Sequence, residues 1–262
     1  MITITSKTNP AFRRFLELHT SKGLRKLNEA LVFGLRVGQE IATDFPEQVL
    51  GWVVAEGMEG TTKGSLRDAR PHRLPAVTCL ALALFEELDL FGIGEPILHI
   101  KTPVIERIEK PVSPARGVAL VIPFQSPDNV GAMIRTAAAL GVTQVLLTEE
   151  AAHPFHPKSA RAAAGAMMRV PMVRLPSLSE IAFPWAHTVG LTAGGRDLRQ
   201  FSWPAAGILV PGLEGPGLPE QIRAKAQIVS IPMTAGVESL NGMVAASIAL
   251  FSWQTAQAIG GK

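Results

Sequence analysis

Residues 118–141 read VALVIPFQSPDNVGAMIRTAAALG, and the fold follows from this stretch. Its first six residues are an apolar run closed by a proline, the pattern of a strand buried on both faces. Over 129–140, Val130, Met133, Ile134, Ala137 and Ala138 recur at helical spacing, and Gly141 is a stop signal. Outward from this unit the alternation repeats. Residues 144–148, 188–192, 208–211 and 228–231 are expected as strands, and 157–168, 219–226 and 239–258 as helices. Strands separated by helices give an α/β fold, a mostly parallel sheet covered on both faces. Such sheets bind ligands at the carboxyl ends of their strands, which directs attention to the strand-to-helix loops.

Three of those loops carry chemistry. In FQSPDNVGAMIRTA at 124–137, Asn129 or Asp128 can cap the helix. Gly131 and Arg135 share a face away from the apolar stripe, leaving room for a ligand beside a guanidinium that forks onto phosphate. In VPGLEGPGL at 210–218, Gly212, Gly215 and Gly217 let the backbone turn tightly after a strand, and Glu214 is a lone carboxylate among them. This is neither a P-loop nor a dinucleotide fingerprint. In IVSIPMTAGVESLNGMVAA at 228–246, a strand ends at Pro232 and Ser239 is expected to cap a helix with an apolar stripe of Leu240, Met243, Val244, Ile248 and Phe251. Ser239 and Asn241 then lie at the positively polarised helix start. Each loop taken alone also reads as an ordinary cap or glycine turn.

Residues 101–116, KTPVIERIEKPVSPAR, carry three prolines and mixed charge and read as a linker between a domain at 1–100 and one at 117–262. In the first half, helices are expected around 10–19 and 26–43, a strand at 49–55 and a loop at 57–73. Lys7, Arg13, Arg14, Lys22, Arg25, Lys26 and Arg36 face only Glu17 and Glu29 over the first 36 residues, with Phe12, Phe15 and Phe33 interleaved. That pattern fits a phosphate backbone, and equally a solvated helix face.

Composition bounds the class. With 47% hydrophobic and 18% charged residues, the 262-residue chain is not a disordered one. A mean hydropathy of +0.23 raises the question of a membrane. Residues 74–85 are too short to span and run into Glu86 and Glu87, and 242–261 carries Ser247, Ser252, Gln254, Thr255 and Gln257. The opening MITITSKTNPAFRRF lacks a signal-peptide core. The single cysteine, Cys79, lies in an apolar run and can form no internal disulfide. A soluble, cytoplasmic protein is expected, without a membrane partner. Gly92 and Gly94 lack the rest of a nucleotide fingerprint. His153 and His156 lack further ligands beside them and are expected in a loop near the site, so no metal is expected.

Taken in order, the three loops resemble the three motifs of the SpoU (TrmH-like) RNA methyltransferases of the SPOUT class. Asn129-x-Gly131-x-x-x-Arg135-Thr136-Ala137 is similar to the first. Gly212-x-Glu214-Gly215-x-Gly217-Leu218 is similar to the second, and Ile231-Pro232-Met233 through Ser239-Leu240-Asn241 to the third. HPKSARAAAGA at 156–166 resembles the block between the first two motifs. Ser6-Lys7-x-Asn9-Pro10 resembles the start of the family's small N-terminal domain.

The resemblance implies a C-terminal α/β trefoil-knot domain with a mostly parallel sheet, preceded by a small ribosomal-protein-like α/β domain that binds substrate. It implies S-adenosylmethionine held around Gly212, Gly215, Ile231, Met233 and Leu240, and a homodimer. The implied reaction is methyl transfer to a ribose 2′-hydroxyl, with Asn129, Arg135, Glu214, Ser239 and Asn241 as the catalytic set. RNA contacts are expected from Arg13, Arg14, Arg25, Lys26, Lys158 and Arg161. The two-domain layout favours ribosomal over transfer RNA. A base methyltransferase of the same class and a non-catalytic RNA-binding or ribosome-assembly factor are the competing readings. Three positions depart from the family pattern: Ser126 and Asp128 in the first motif, and Gly242, where a valine commonly follows Ser-Leu-Asn.

Overall fold

A computed structural model describes residues 3–58 and 76–260, with side chains through residue 257. Beyond residue 58, the loop expected at 57–73 lies outside the described residues. The chain divides into two compact units, Met1–Val104 with His153–Met168, and Ile105–Ala152 with Arg169–Lys262.

The first unit holds a five-stranded sheet. Its strands are β1 (Thr3–Ile4), β2 (Glu29–Val32), β3 (Val49–Ala55), β4 (Ala76–Leu80) and β5 (Ile97–Lys101), in the order β1-β4-β3-β5-β2. The β1-β4 and β4-β3 pairs are parallel, and β5 runs antiparallel to β3 and β2. Helix Pro10–Glu17 starts where Asn9 accepts a hydrogen bond from the Ala11 amide and Pro10 occupies the first turn, where a missing N–H costs nothing. Phe12 and Phe15, three apart, are its buried residues, which leaves Arg13 and Arg14 outward. The single helix expected at 26–43 is in fact two, Ser21–Leu27 and Leu35–Asp44. Asn28 adopts a left-handed conformation that ends the first, and the apolar run that follows becomes β2.

Residues 153–168 also belong to this unit, although a division at 101–116 leaves them with the second half. Helix Pro157–Ala163 packs on β2, and Gly165 backs onto Val37 and Ile41. The helix expected to run to 168 stops at Ala163 because Ala164 is left-handed, and a 3-10 turn, Ala166–Met168, follows.

The second unit is a six-stranded sheet of β6 (Gly117–Ile122), β7 (Gln144–Leu147), β8 (Met172–Arg174), β9 (Thr188–Asp197), β10 (Ala206–Pro211) and β11 (Gln227–Ser230). The order is β11-β9-β10-β6-β7-β8, and every pair is parallel. Ala119 and Val121 of β6 and Ile208 and Val210 of β10 face one core with Leu175, Leu178, Phe183 and Ile222. On helix Pro127–Ala139, Val130, Met133, Ile134 and Ala137 are buried, and this helix packs against helix Gly242–Gly260. Residues 106–108 are not a free linker: Arg174 donates its amide to Glu106, and Ile108 donates to Arg174, so this stretch pairs with β8.

The last helix departs from expectation. It begins at Gly242, capped by Asn241 rather than Ser239, because the Asn241 side chain accepts from the Met243 and Val244 amides. Its buried residues include Ala246, Ala249, Leu250 and Trp253, while Val244, Ile248 and Phe251 of the expected stripe are exposed.

Candidate active site

The strand order places the carboxyl ends of β6 and β10 side by side, with β9 and β11 next in line. The chain leaves β6 towards β7 on one flank and later fills the other flank. The β6/β10 boundary is therefore a topological switch point, where open parallel sheets bind ligands.

The second motif forms a tight hairpin after β10, in which Leu213 and Gly217 exchange backbone hydrogen bonds of 2.9 and 3.1 Å. The glycines are required here. A Cβ at Gly212 would lie 2.7 Å from the Gly217 backbone, and Gly215 and Gly217 have φ of 91° and 73°. This turn aims Glu214 back at the first motif. One carboxylate oxygen accepts from the Gln125 and Ser126 amides at 3.2 and 3.3 Å, and the other accepts from the Asn129 side-chain amide. Glu214 thus fastens the loop after β6 to the loop after β10. The helix that follows is capped by Ser126, which accepts from the Asn129 amide, and not by Asn129 or Asp128. This leaves the Asn129 side chain to Glu214, and gives Ser126, one of the departing positions, a role of its own.

A cavity of about 380 Å³ opens beside this junction. Gly212, Glu214, Gly215, Gly217, Ile231, Met233, Ser239, Leu240, Asn241 and Gly242, ten of the residues singled out in the sequence, all line it. Leu191, Thr192, Ala193, Val229, Glu238 and Ala245 line it too and were not singled out. The first three come from an excursion in β9: Ile228 of β11 pairs with Gly190 but Val229 pairs with Arg196, so residues 191–195 bulge out of the β9–β11 ladder, while Leu191 stays paired with Pro211 of β10. Gly194 and Gly195 are the signal in the sequence for that bulge. Gly242 abuts Phe124, since a Cβ there would lie 2.9 Å from the buried ring.

Arg135 does not line the cavity. It is exposed on helix Pro127–Ala139 and has no hydrogen bond or ion pair among the described residues, whereas Gly131, expected to open space beside it, is buried. His153 and His156 are not in a loop at the cavity. His153 accepts from the Phe155 amide, and His156 caps helix Pro157–Ala163 in the first unit.

The six expected RNA contacts, Arg13, Arg14, Arg25, Lys26, Lys158 and Arg161, are all exposed and all lie in that first unit. Arg14 donates to Glu29 at 2.5 and 2.8 Å and Lys26 to Glu17 at 3.0 Å, while Arg13, Arg25 and Lys158 have no side-chain partner among the described residues. The Arg161 guanidinium lies 4.3 Å over the Phe91 ring. Burial opposes the Glu29 charge, but hydrogen bonds from Arg14 and His99 prevail and lower its pKa. Burial, with His156 nearby, pushes His19 down to about 4, and its Nε2 is buried without a partner among the described residues.

Known proteins locate this architecture. The sequence profile of the SpoU rRNA methylase family matches residues 118–251, just over half of the chain. A Syntrophobacter fumaroxidans protein named ribosomal RNA small subunit methyltransferase G 2 is 42% identical over 250 residues. The match takes in 95% of this chain but 48% of that relative, so this chain spans about half its length. The 23S rRNA (uridine(2479)-2′-O)-methyltransferase of Streptomyces viridochromogenes is 27% identical over 265 residues, 95% of this chain and 90% of that one. The crystal structure of the SpoU methyltransferase AviRb from the same organism, with AdoMet bound, has the same fold: the TM-score is 0.75, with 24% identity over 96% of this chain and 100% of that one. The chain belongs to the SpoU rRNA methylase family.

Proposed function

We propose that this protein is a cytoplasmic enzyme that transfers a methyl group from S-adenosylmethionine to a ribose 2′-hydroxyl of ribosomal RNA. One observation carries the reading. An excursion within β9 and the loops after its two neighbours, β10 and β11, close on one cavity, and Glu214 ties the loop after β6 to them.

The cavity's lining fits the cofactor. Its volume is that of a small-molecule site. The glycine hairpin offers bare backbone, Thr192, Ser239 and Asn241 offer hydroxyl and amide groups, and Ile231, Met233 and Leu240 offer apolar surface. When bound, the cofactor supplies an electrophilic methyl group on a sulfonium. The chain's own task is alignment, since an alcohol is a weak nucleophile that must be held in line. Asn129, oriented by Glu214, and Ser239 and Asn241 position the ribose and the methionine end. Arg135 clamps an RNA phosphate, and because a guanidinium holds its proton, the hydroxyl proton leaves to an RNA phosphate or to water. The six exposed basic side chains of the first unit bind the RNA backbone.

The ribosomal substrate is supported by the Streptomyces viridochromogenes relative, whose name specifies a uridine 2′-oxygen of 23S rRNA. A homodimer is supported by Val244, Ile248 and Phe251, 39%, 38% and 62% exposed along one side of the last helix: apolar surface suited to a second copy. A knot is supported by the return of that helix from β11, at the sheet edge, to pack on helix Pro127–Ala139 and β10.

The test is transfer of labelled methyl from S-adenosylmethionine to unmodified ribosomal and transfer RNA, followed by digestion to nucleosides. Label in 2′-O-methylnucleosides of ribosomal RNA is expected. Label on a base overturns the ribose chemistry, label in transfer RNA alone overturns the substrate, and failure to bind the cofactor favours a non-catalytic RNA-binding factor. Arg135→Ala is expected to lower transfer about 100-fold with cofactor affinity unchanged; parallel loss of cofactor binding overturns the clamp.

A further inference from the structure

The charge around the cavity is one-sided. Its described lining carries two carboxylates, Glu214 and Glu238, and no lysine, arginine or histidine. The two differ in what they do. Both oxygens of Glu214 are engaged, by the Gln125 and Ser126 amides and by Asn129, so its charge is spread into the framework that joins two loops. Glu238 has no hydrogen bond or ion pair among the described residues. It lies exposed in the loop after β11, next to Ser239 and Asn241, and is the lining carboxylate whose charge no described protein group engages.

We propose that Glu238 is the charge-selecting residue of this cavity, favouring a sulfonium ligand over the thioether left after methyl transfer. The inference rests on the cofactor reading given above. In that reaction the methyl–sulfur bond breaks, its electron pair stays on sulfur, and a carbon–oxygen bond forms as the hydroxyl loses its proton. The ligand changes little in shape but loses one unit of positive charge. Backbone contacts from the glycine hairpin and apolar contacts from Ile231, Met233 and Leu240 respond mainly to shape and hold both forms alike. A carboxylate without a protein cation beside it responds to charge, and attracts the cationic form over several ångströms. Glu238 therefore biases occupancy of the cavity towards the sulfonium form.

The test is calorimetric binding of S-adenosylmethionine and of S-adenosylhomocysteine to the intact protein, at low and high salt. Glu238→Gln is expected to weaken the sulfonium ligand about fivefold, the scale of one partly exposed charge pair, and the thioether by less than about twofold. Glu238→Asp restores most of the difference, and high salt reduces the wild-type preference. Retained thioether binding serves as the control for folding. Equal weakening of both ligands overturns the proposal, since Glu238 then only shapes its loop, and so does no change in either. A wild-type protein that binds neither ligand overturns the cofactor reading itself, a result distinct from a lost preference.

Discussion

The two units use charge in different ways. Around the cavity of the second unit, the central carboxylate is fully engaged: Glu214 accepts from two backbone amides and one side-chain amide, and holds two loops at fixed spacing. On the first unit the basic side chains are exposed, some paired as Arg14 is with Glu29, others without a described partner, as Arg13 and Arg25 are. A network of hydrogen bonds joins fixed partners at contact distance and responds little to salt. A field of exposed cations attracts a polyanion over distances near the Debye length and is screened by salt. The first arrangement suits chemistry, the second capture. Substitutions in the two units should therefore fail in different ways.

The largest effect is expected at Glu214. Glu214→Gln keeps the shape but places an amide opposite two backbone donors and the Asn129 amide, so single-turnover methyl transfer should fall at least about 100-fold. Asn129→Ala should cost nearly as much, and the double variant little more than either, because the two act as one unit. Full additivity would break the view of Glu214 and Asn129 as one framework.

Next comes the first unit. Arg13→Glu with Arg25→Glu should weaken RNA binding about tenfold at moderate salt and make its salt dependence shallower. Cofactor affinity should not change. The same reversal at Arg14 and Lys26 should do less to RNA, since those groups already face Glu29 and Glu17, and should cost more in stability. Equal RNA effects from both pairs would remove the distinction between free and paired cations.

A smaller effect is expected at Gly242. Gly242→Val pushes a side chain into the Phe124 ring at the helix start and should cost about 1–3 kcal/mol of unfolding free energy. Phe124→Leu in the same chain should recover part of the loss in chemical denaturation. A separate effect is a pH dependence of the first unit. The folded-state pKa of His19, about 4, lies below the ordinary 6.5, so the fold favours the neutral ring. Its contribution is fully present above about pH 6.5 and is lost as pH falls towards 4. His19→Gln should flatten that fall in denaturation curves; an unchanged pH profile would show that the buried ring is not its source.

The site was legible where chemistry and local geometry coincide. Asn129, Glu214 and the glycines of 212–217 could be singled out because a lone carboxylate in a glycine turn after a strand has few other uses, and it does reach the first motif. Ser239 and Asn241 were singled out as well, but which of them caps the helix depended on where the chain leaves the β11 loop, which spacing does not reveal. Thr192 and Ala193 were missed because a strand bulge leaves only a pair of glycines as its trace. Glu238 was passed over because an exposed acid in a loop gains meaning only from what else lines the cavity. The apolar stripe of the last helix is not its buried face: Val244, Ile248 and Phe251 are spaced for burial, yet Ala246, Ala249 and Leu250 take the inner face.

Much of this protein is determined by sequence alone: the alternation of short apolar runs and helices that makes a parallel sheet, the glycine-rich and polar loops that meet at the cavity, and the basic excess at the amino-terminal end. These are local properties, set by the period of apolar side chains, the turn demands of glycine and proline, and the sign of charges close in the chain. Tertiary structure alone decided the strand order that brings β6 and β10 together, the assignment of residues 153–168 to the first unit, and the pairing of Glu214 with Asn129, 85 positions away. Those contacts join segments far apart in sequence. Each is selected by the burial and hydrogen-bond satisfaction of the whole assembly, which no window of residues contains.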